Sequence, residues 1–325
     1  MKLHRDEITV DESLVVSLLE RQRPEWARLP LAPAGAGTDN VMYRLGDELV
    51  VRLPRTAAVN DALRKERYWL PRLAPLLPHA VPEPVHTGAP TRAYPLAWSV
   101  YRWIDGEEPG PGTVRDWEAF GADLAEFVQE LHGTALMGAT PLDGLSWYRG
   151  GPLGACDSWV GEAFDACRAL AHAAKDAEPG AEPDAEPGAA GDADEGDTLD
   201  LDQLERLWRR ALRLPGPTGP PGWLHGDLRP SNLLVREGAL HAVIDFGALS
   251  IGFPDAEHAP LWDLPRAARE SYRTALDVDE AAWERARAWA IAVGVSGYSH
   301  YRDSWPAFAA ACRARLAAVL TDAAG

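Results

Sequence analysis

The chain has 325 residues, with 32 Lys and Arg against 49 Asp and Glu, a formal net charge of −17, 46% hydrophobic residues and 25% charged ones. That is the composition of a soluble globular protein, long enough for one two-lobed domain or two modest ones. It excludes a nucleic-acid binder, which needs a basic face to neutralise phosphates, and it is compatible with a cationic small-molecule partner. No stretch approaches the ~20 apolar residues of a membrane span, and Met1–Glu7 lacks the apolar run of a signal peptide, so the cytoplasm is the expected compartment.

The charge is unevenly placed. Eleven acids and no basic residue lie between Asp176 and Asp202, which leaves only −6 for the rest. Three cysteines, Cys156, Cys167 and Cys312, give neither a disulfide framework nor a zinc site.

In chain order, Leu14, Val15, Leu18 and Leu19 at helical spacing follow Asp11, which predicts a capped helix over 11–23. Residues 33–40, Pro-Ala-Gly-Ala-Gly-Thr-Asp-Asn, read as a loop of small residues. Val41–Leu45 and Glu48–Leu53 read as a strand pair around Gly46-Asp47. A helix is expected over 57–73 and a strand over 96–104, ended by Asp105-Gly106. Beyond this point helices dominate. Trp117, Phe120, Leu124, Phe127, Val128 and Leu131 share one face of a helix over 116–132. Further helices are expected over 157–172, 203–213, 279–296 and 305–320, with Tyr298, His300, Tyr301, Asp303 and Trp305 between the last two. About 174–199 contains Ala-Glu-Pro three times and almost no bulky apolar residue, so it reads as a disordered insertion.

The chemistry lies in residues 223–247. Leu233–Val235 and His241–Ile244 read as two short strands flanking Glu237-Gly238, a hairpin. Asp227 and Asn232 precede it and Asp245 follows it. A hairpin brings its ends together, so the three polar residues converge. Phosphoryl transfer needs such a set: a carboxylate to orient the attacking hydroxyl, and hard oxygens to hold magnesium against the phosphates. There is no Gly-Lys-Ser/Thr, so a Walker-type loop is excluded.

The spacing Asp227-x-x-x-x-Asn232 and the triplet Asp245-Phe246-Gly247 are those of the protein-kinase catalytic and metal-binding loops. With Gly226 inside His225-Gly226-Asp227, the segment resembles the aminoglycoside phosphotransferase family more than protein kinases, and the chain also lacks an Ala-Pro-Glu signature. The resemblance implies an α+β, bilobal protein-kinase-like fold. Residues 1–104 would be a small β-rich N-lobe that binds nucleotide, and 105–325 a larger, mostly helical C-lobe. It implies ATP or GTP as donor with Mg2+, Asp227 as catalytic base, and Asn232 and Asp245 as metal ligands. His225 would support the loop through hydrogen bonds.

For the nucleotide, the resemblance implies that Gly37 and Thr38 cover the phosphates with backbone N–H groups. It implies that Arg52 stands where the family has lysine, paired with Glu66, and that adenine bonds to the backbone of Arg102 and Ile104. After the metal triplet the family has a Gly-Asp-Pro turn and a later Asp; here Phe253 replaces the first acid and Glu257 stands near the second. Glu257, Asp263, Glu270 and Asp303 are candidates to receive ammonium groups of an acceptor. Trp262, Trp289, Tyr298, Tyr301 and Trp305 are candidates to stack on it or to pack the core. The expected acceptor is an aminoglycoside-like or other sugar-containing antibiotic. A macrolide, a nucleoside or a small amine is the second choice, and a catalytically silent binding protein the third.

Overall fold

The structure is a computed structural model and describes residues 7–37, 39–57, 60–176 and 199–324. Helix α1 (Glu12–Gln22) begins where the extended Asp11 accepts a hydrogen bond from the Leu14 N–H at 2.8 Å, an N-cap worth about 1 kcal/mol. Its buried face, Val15, Leu18 and Leu19, joins a core with Leu45, Val51, Leu53, Trp98 and Val100 from a sheet.

That sheet is antiparallel: β1 (Leu31–Ala36), β2 (Asn40–Leu45), β3 (Leu49–Pro54), β4 (Pro84–Gly88) and β5 (Trp98–Arg102), in the order β1-β2-β3-β5-β4. The expected loop over 33–40 needs correction. Residues 31–36 pair with β2, from Leu31↔Leu45 to Ala36↔Val41, with an irregularity between Pro33 and Ala36. The two strands of this sheet that were not expected, β1 and β4, are edge strands containing proline, which an edge tolerates because one side of its ladder is unpaired. Helix α2 (Asn60–Leu73) turns Leu63, Glu66, Leu70 and Leu73 inward at helical spacing.

One compact unit, Met1–Gly151 with Thr218–Val278, holds these elements and the chemistry-bearing segment. It adds α3 (Trp117–Gly133), whose cap Asp116 accepts from the Glu118 and Ala119 N–H groups. It also has two ribbons, β6 (Gly222–Leu224) with β9 (Ser250–Gly252), and β7 (Leu233–Arg236) with β8 (Ala239–Val243). Helix α6 (Arg266–Ala275) packs on α3.

The other unit, Pro152–Pro217 with Asp279–Gly325, is helical. Its α7 (Glu280–Tyr301) packs against α4 (Asp157–Asp176), α5 (Leu201–Ala211) and α8 (Pro306–Ala324). Tyr298, His300 and Tyr301 therefore lie in α7 and not between two helices, as the expected end at 296 had it. The small residues of Gly294-Val-Ser-Gly297 admit α8: a Cβ on Gly294 would stand 2.7 Å from Leu316. Residues 177–198, most of the expected insertion, lie outside the described residues. No helix among the described residues is long and apolar enough to cross a membrane.

Candidate active site

The β7–β8 hairpin is closed at its open end by the Ile244 N–H donating to the Asn232 carbonyl at 2.8 Å. That bond sets Asn232 beside the chain that continues into Asp245. The Asn232 amide nitrogen donates to the Asp227 carbonyl at 2.8 Å and stands 3.3 Å from Asp227 Oδ2. Asp227 and Asn232 are thus in direct contact, while Asp245 follows the residue whose N–H bonds to Asn232. Asn232 is buried, whereas the Asp227 side chain is 32% exposed and reachable.

His225 fastens the loop to the hairpin. Its Nε2–H donates to the Ile244 carbonyl at 3.0 Å, and Nδ1 accepts from the Asp227 N–H at 3.2 Å. This pattern needs a neutral ring, and burial lowers the His225 pKa accordingly. The imidazole also packs edge-on against Phe246, 4.5 Å between centroids. Gly226 has φ +83°, and a Cβ there would lie 2.6 Å from the Ala248 carbonyl oxygen. A glycine is required at the centre of His-Gly-Asp.

Beneath the loop lies Glu257, only 2% exposed. Its two oxygens accept from the His225 N–H at 2.7 Å and the Gly226 N–H at 2.8 Å. Burial pushes its carboxyl up to about 7, against the pull of those two donors. Glu257 is therefore a clamp on the loop and not an open receiver of an ammonium group. Its place in the stretch after Pro254, near the family's later acid, was the signal for it.

Arg52 joins three polar side chains, Glu66, Asp245 and Asn40. It is buried, and its Nη1 donates to both oxygens of Glu66, at 2.9 and 3.0 Å. Nη2 donates to Asp245 Oδ1 at 2.6 Å. The Asn40 amide, with its oxygen facing the guanidinium, accepts from Nε and Nη2 at 3.0 Å. Glu66 is 0% exposed and also accepts from the Tyr101 hydroxyl. Burial opposes the Arg52 charge, but Asp245 and Glu66 outweigh it and raise its pKa well above the ordinary value. Burial would likewise push the Asp245 carboxyl up. The Arg52 charge and hydrogen bond hold it below the usual carboxylate range. Next to Glu66, Lys65 donates to the Leu249 carbonyl at 3.0 Å and ties α2 to the segment after the hairpin.

Gly37 sits in the β1–β2 turn, its N–H donating to the Asn40 carbonyl and its own carbonyl accepting from Arg55 Nε, both at 3.0 Å. Thr38 lies outside the described residues. Arg102 ends β5 with its N–H taken by the Glu83 carbonyl at 2.9 Å, and the partly buried Ile104 follows. Glu270 is paired with Arg266 at 2.6 Å. Trp262 and Trp289 are buried packing residues. Asp303, Tyr301 and Trp305 belong to the helical unit, where Tyr301 and Trp305 pack on Phe308.

Arg149 was not singled out from the sequence. It lies in the 3-10 turn Tyr148–Gly150, and its Nη1 donates to Asp227 Oδ1 and to the Gly226 carbonyl, both at 2.8 Å. Nothing in Trp-Tyr-Arg-Gly advertises that contact, because its partner is 78 residues away.

The phosphotransferase enzyme family model matches residues 30–289, a span that contains Arg52, Glu66, Arg149, Asp227, Asn232, Asp245 and Glu257. No curated protein sequence matches the chain. Among solved structures, the GDP and kanamycin complex of APH(2")-IIia is similar at 18% identity and TM-score 0.69, over 96% of this chain and 99% of that one. Macrolide 2'-phosphotransferase type I is similar at 19% identity and TM-score 0.61, over 95% and 98%. A streptomycin-ATP-APH(2")-IIa ternary complex is similar at 16% identity and TM-score 0.55, over 90% and 95%. At these identities the likeness establishes the kinase-like fold. Taken with the family match along most of its length, it means that the chain belongs to the phosphotransferase enzyme family.

Proposed function

We propose that the protein is a magnesium-dependent kinase that moves the γ-phosphate of ATP to a hydroxyl of a sugar-containing small molecule of the antibiotic class. The observation that carries this reading is the contact set at the hairpin mouth. An accessible Asp227 is held by Asn232, and Asp245 follows the same hairpin and meets Arg52. Kanamycin, streptomycin and a macrolide are named for three proteins of the same fold, and GDP or ATP for two of them.

In the proposed step, the acceptor oxygen forms a bond to the γ-phosphorus while the bond to the β–γ bridging oxygen breaks, and Asp227 takes the hydroxyl proton. ADP leaves with the bridging oxygen. Asp227 orients the hydroxyl more than it drives the bond change, since the transferred group needs positioning and charge stabilisation above all. Arg52 offers its charge to the phosphates and is itself fixed by Glu66 and Asn40.

The donor set fits magnesium. Asn232 spends its amide nitrogen on the Asp227 carbonyl, which turns its oxygen the other way, and Asp245 adds a carboxylate. Two hard oxygens from protein suit an ion that keeps waters and phosphates as its remaining ligands. Among the described residues there is no group of three or more His, Cys, Asp and Glu that would hold a softer or protein-caged metal. When bound, magnesium would neutralise charge on the phosphates.

A less cationic acceptor, such as a macrolide or a nucleoside, is favoured by one observation. Of the four acids expected to receive ammonium groups, Glu257 is committed to the loop. Nucleotide consumption measured against aminoglycosides, macrolides, nucleosides and amino alcohols tests both readings. Magnesium-dependent ADP release with one class is the expected result. A flat response from a protein that still binds nucleotide would instead favour a silent binding protein.

A further inference from the structure

A catalytic carboxylate must be held within hydrogen-bond reach of the proton it accepts, because small misplacements of a reacting group are costly. Asp227 has two oxygens to anchor. Oδ2 faces the Asn232 amide nitrogen across a long 3.3 Å contact. Oδ1 accepts from Arg149 Nη1 at 2.8 Å, so the shorter and charge-assisted bond is the one to Arg149.

The guanidinium is itself fixed from several sides. The same Nη1 donates to the Gly226 carbonyl at 2.8 Å, one residue before the base. Nε donates to the Tyr148 hydroxyl at 3.0 Å. The turn that carries it is tied down where the Phe253 N–H donates to the Gly150 carbonyl at 3.0 Å. The side chain is 17% exposed, so little of this geometry is left to solvent. Asn232 approaches Asp227 from the hairpin and Arg149 from the 148–150 turn, so the carboxylate is held between two separate elements.

We propose that Arg149 is a positioning residue for phosphoryl transfer, fixing the orientation of the Asp227 carboxylate from the side opposite Asn232. It acts through Asp227 and needs no contact with nucleotide or acceptor. The inference rests on the reading of Asp227 as base.

Crystal structures of the wild type and of Arg149→Met, in one crystal form, read the proposal without any acceptor. The wild type should show the Arg149–Asp227 contact, and the variant a turned Asp227 side chain. Kinetics with MgATP, using water as acceptor in slow hydrolysis and then any acceptor that reacts, should show kcat down by on the order of 10- to 100-fold with the nucleotide KM within about twofold. Arg149→Lys, which keeps the charge but not the fork, should recover part of kcat. An unmoved carboxylate with wild-type kcat in Arg149→Met would overturn the proposal. Should that variant fail to fold, Arg149→Lys and Arg149→Gln carry the same comparison. A wild type with no turnover toward any acceptor counts against the kinase reading, while the displaced carboxylate still decides for Arg149.

Discussion

Arg52 stands where the resemblance expects a lysine. A lysine would bring one strongly hydrated point charge to this place. The guanidinium reaches Glu66, Asp245 and Asn40 at once through its planar fork. Removing it leaves Glu66 fully buried without its counter-charge, a loss of about 3–5 kcal/mol. Arg52→Met should therefore lower the urea midpoint sharply. Arg52→Lys should fold but bind MgATP more weakly, because one ammonium cannot hold both carboxylates in the same places. Thermal unfolding and nucleotide titration of the two variants check this; full nucleotide affinity in Arg52→Lys would show that the fork is dispensable. At this scale the spacing of Asp227 and Asn232, and the resemblance that pairs Arg52 with Glu66, point to contacts that the fold has. The sequence was silent on Tyr101 and Arg149, whose contacts join distant segments and leave no periodic trace.

The His225–Asp227 loop, as an element, is shaped by bonds from outside it. Glu257 accepts its His225 and Gly226 N–H groups, His225 bridges to Ile244, and Gly226 supplies a backbone shape that no side chain permits there. Glu257→Ala would strand two buried donors at a cost of about 1–3 kcal/mol each. It should lower kcat more than nucleotide affinity, since Arg52 and Glu66 lie outside the loop. An unchanged kcat in a stable Glu257→Ala protein would contradict the clamp. Elements with strong patterns were legible: α1, α3 and the β2–β3 and β7–β8 pairs all stand near their expected places. The edge strands β1 and β4 were not, because proline and small residues erase the alternation that marks a strand, while an edge forgives the missing N–H. Helix α7 runs past its expected end at 296, and its Gly294 packs closely against α8.

For the whole molecule, stability should depend on pH through histidines whose pKa values are lowered, the buried His225 and His258 and the half-buried His132 among them. His132 and His258 have pKa values lowered to about 4 and about 3 by burial, and His258 Nδ1 is hydrogen-bonded with the Tyr272 hydroxyl. Below pH 6.5 the unfolded chain takes up protons on both residues while the folded chain does not, so stability falls as the pH drops from 7 to 5. Each contributes about 2 kcal/mol to that loss. Glu257 works in the opposite direction, because a carboxyl raised to about 7 favours the folded state as the pH falls. Its contribution is common to wild type and His258→Gln and cancels between them. The variant should therefore lose about 2 kcal/mol less than the wild type between pH 7 and pH 5 in urea titrations. Parallel losses would show that His258 titrates normally in the fold.

The fold class was legible through the family resemblance, and the meeting of Asp227 and Asn232 because a short chain segment carries both. The acceptor was not, because the acids and rings that would meet it are scattered, and several serve the core or the loop. The central claim is that Asp227 receives the acceptor's proton in transfer from ATP. It is tested most directly by following transfer of labelled γ-phosphate with magnesium in the wild type and in Asp227→Ala, with nucleotide binding measured alongside. The expected result is transfer reduced by about a thousandfold or more in the variant, with nucleotide affinity retained. Transfer at the wild-type rate in Asp227→Ala would contradict the account.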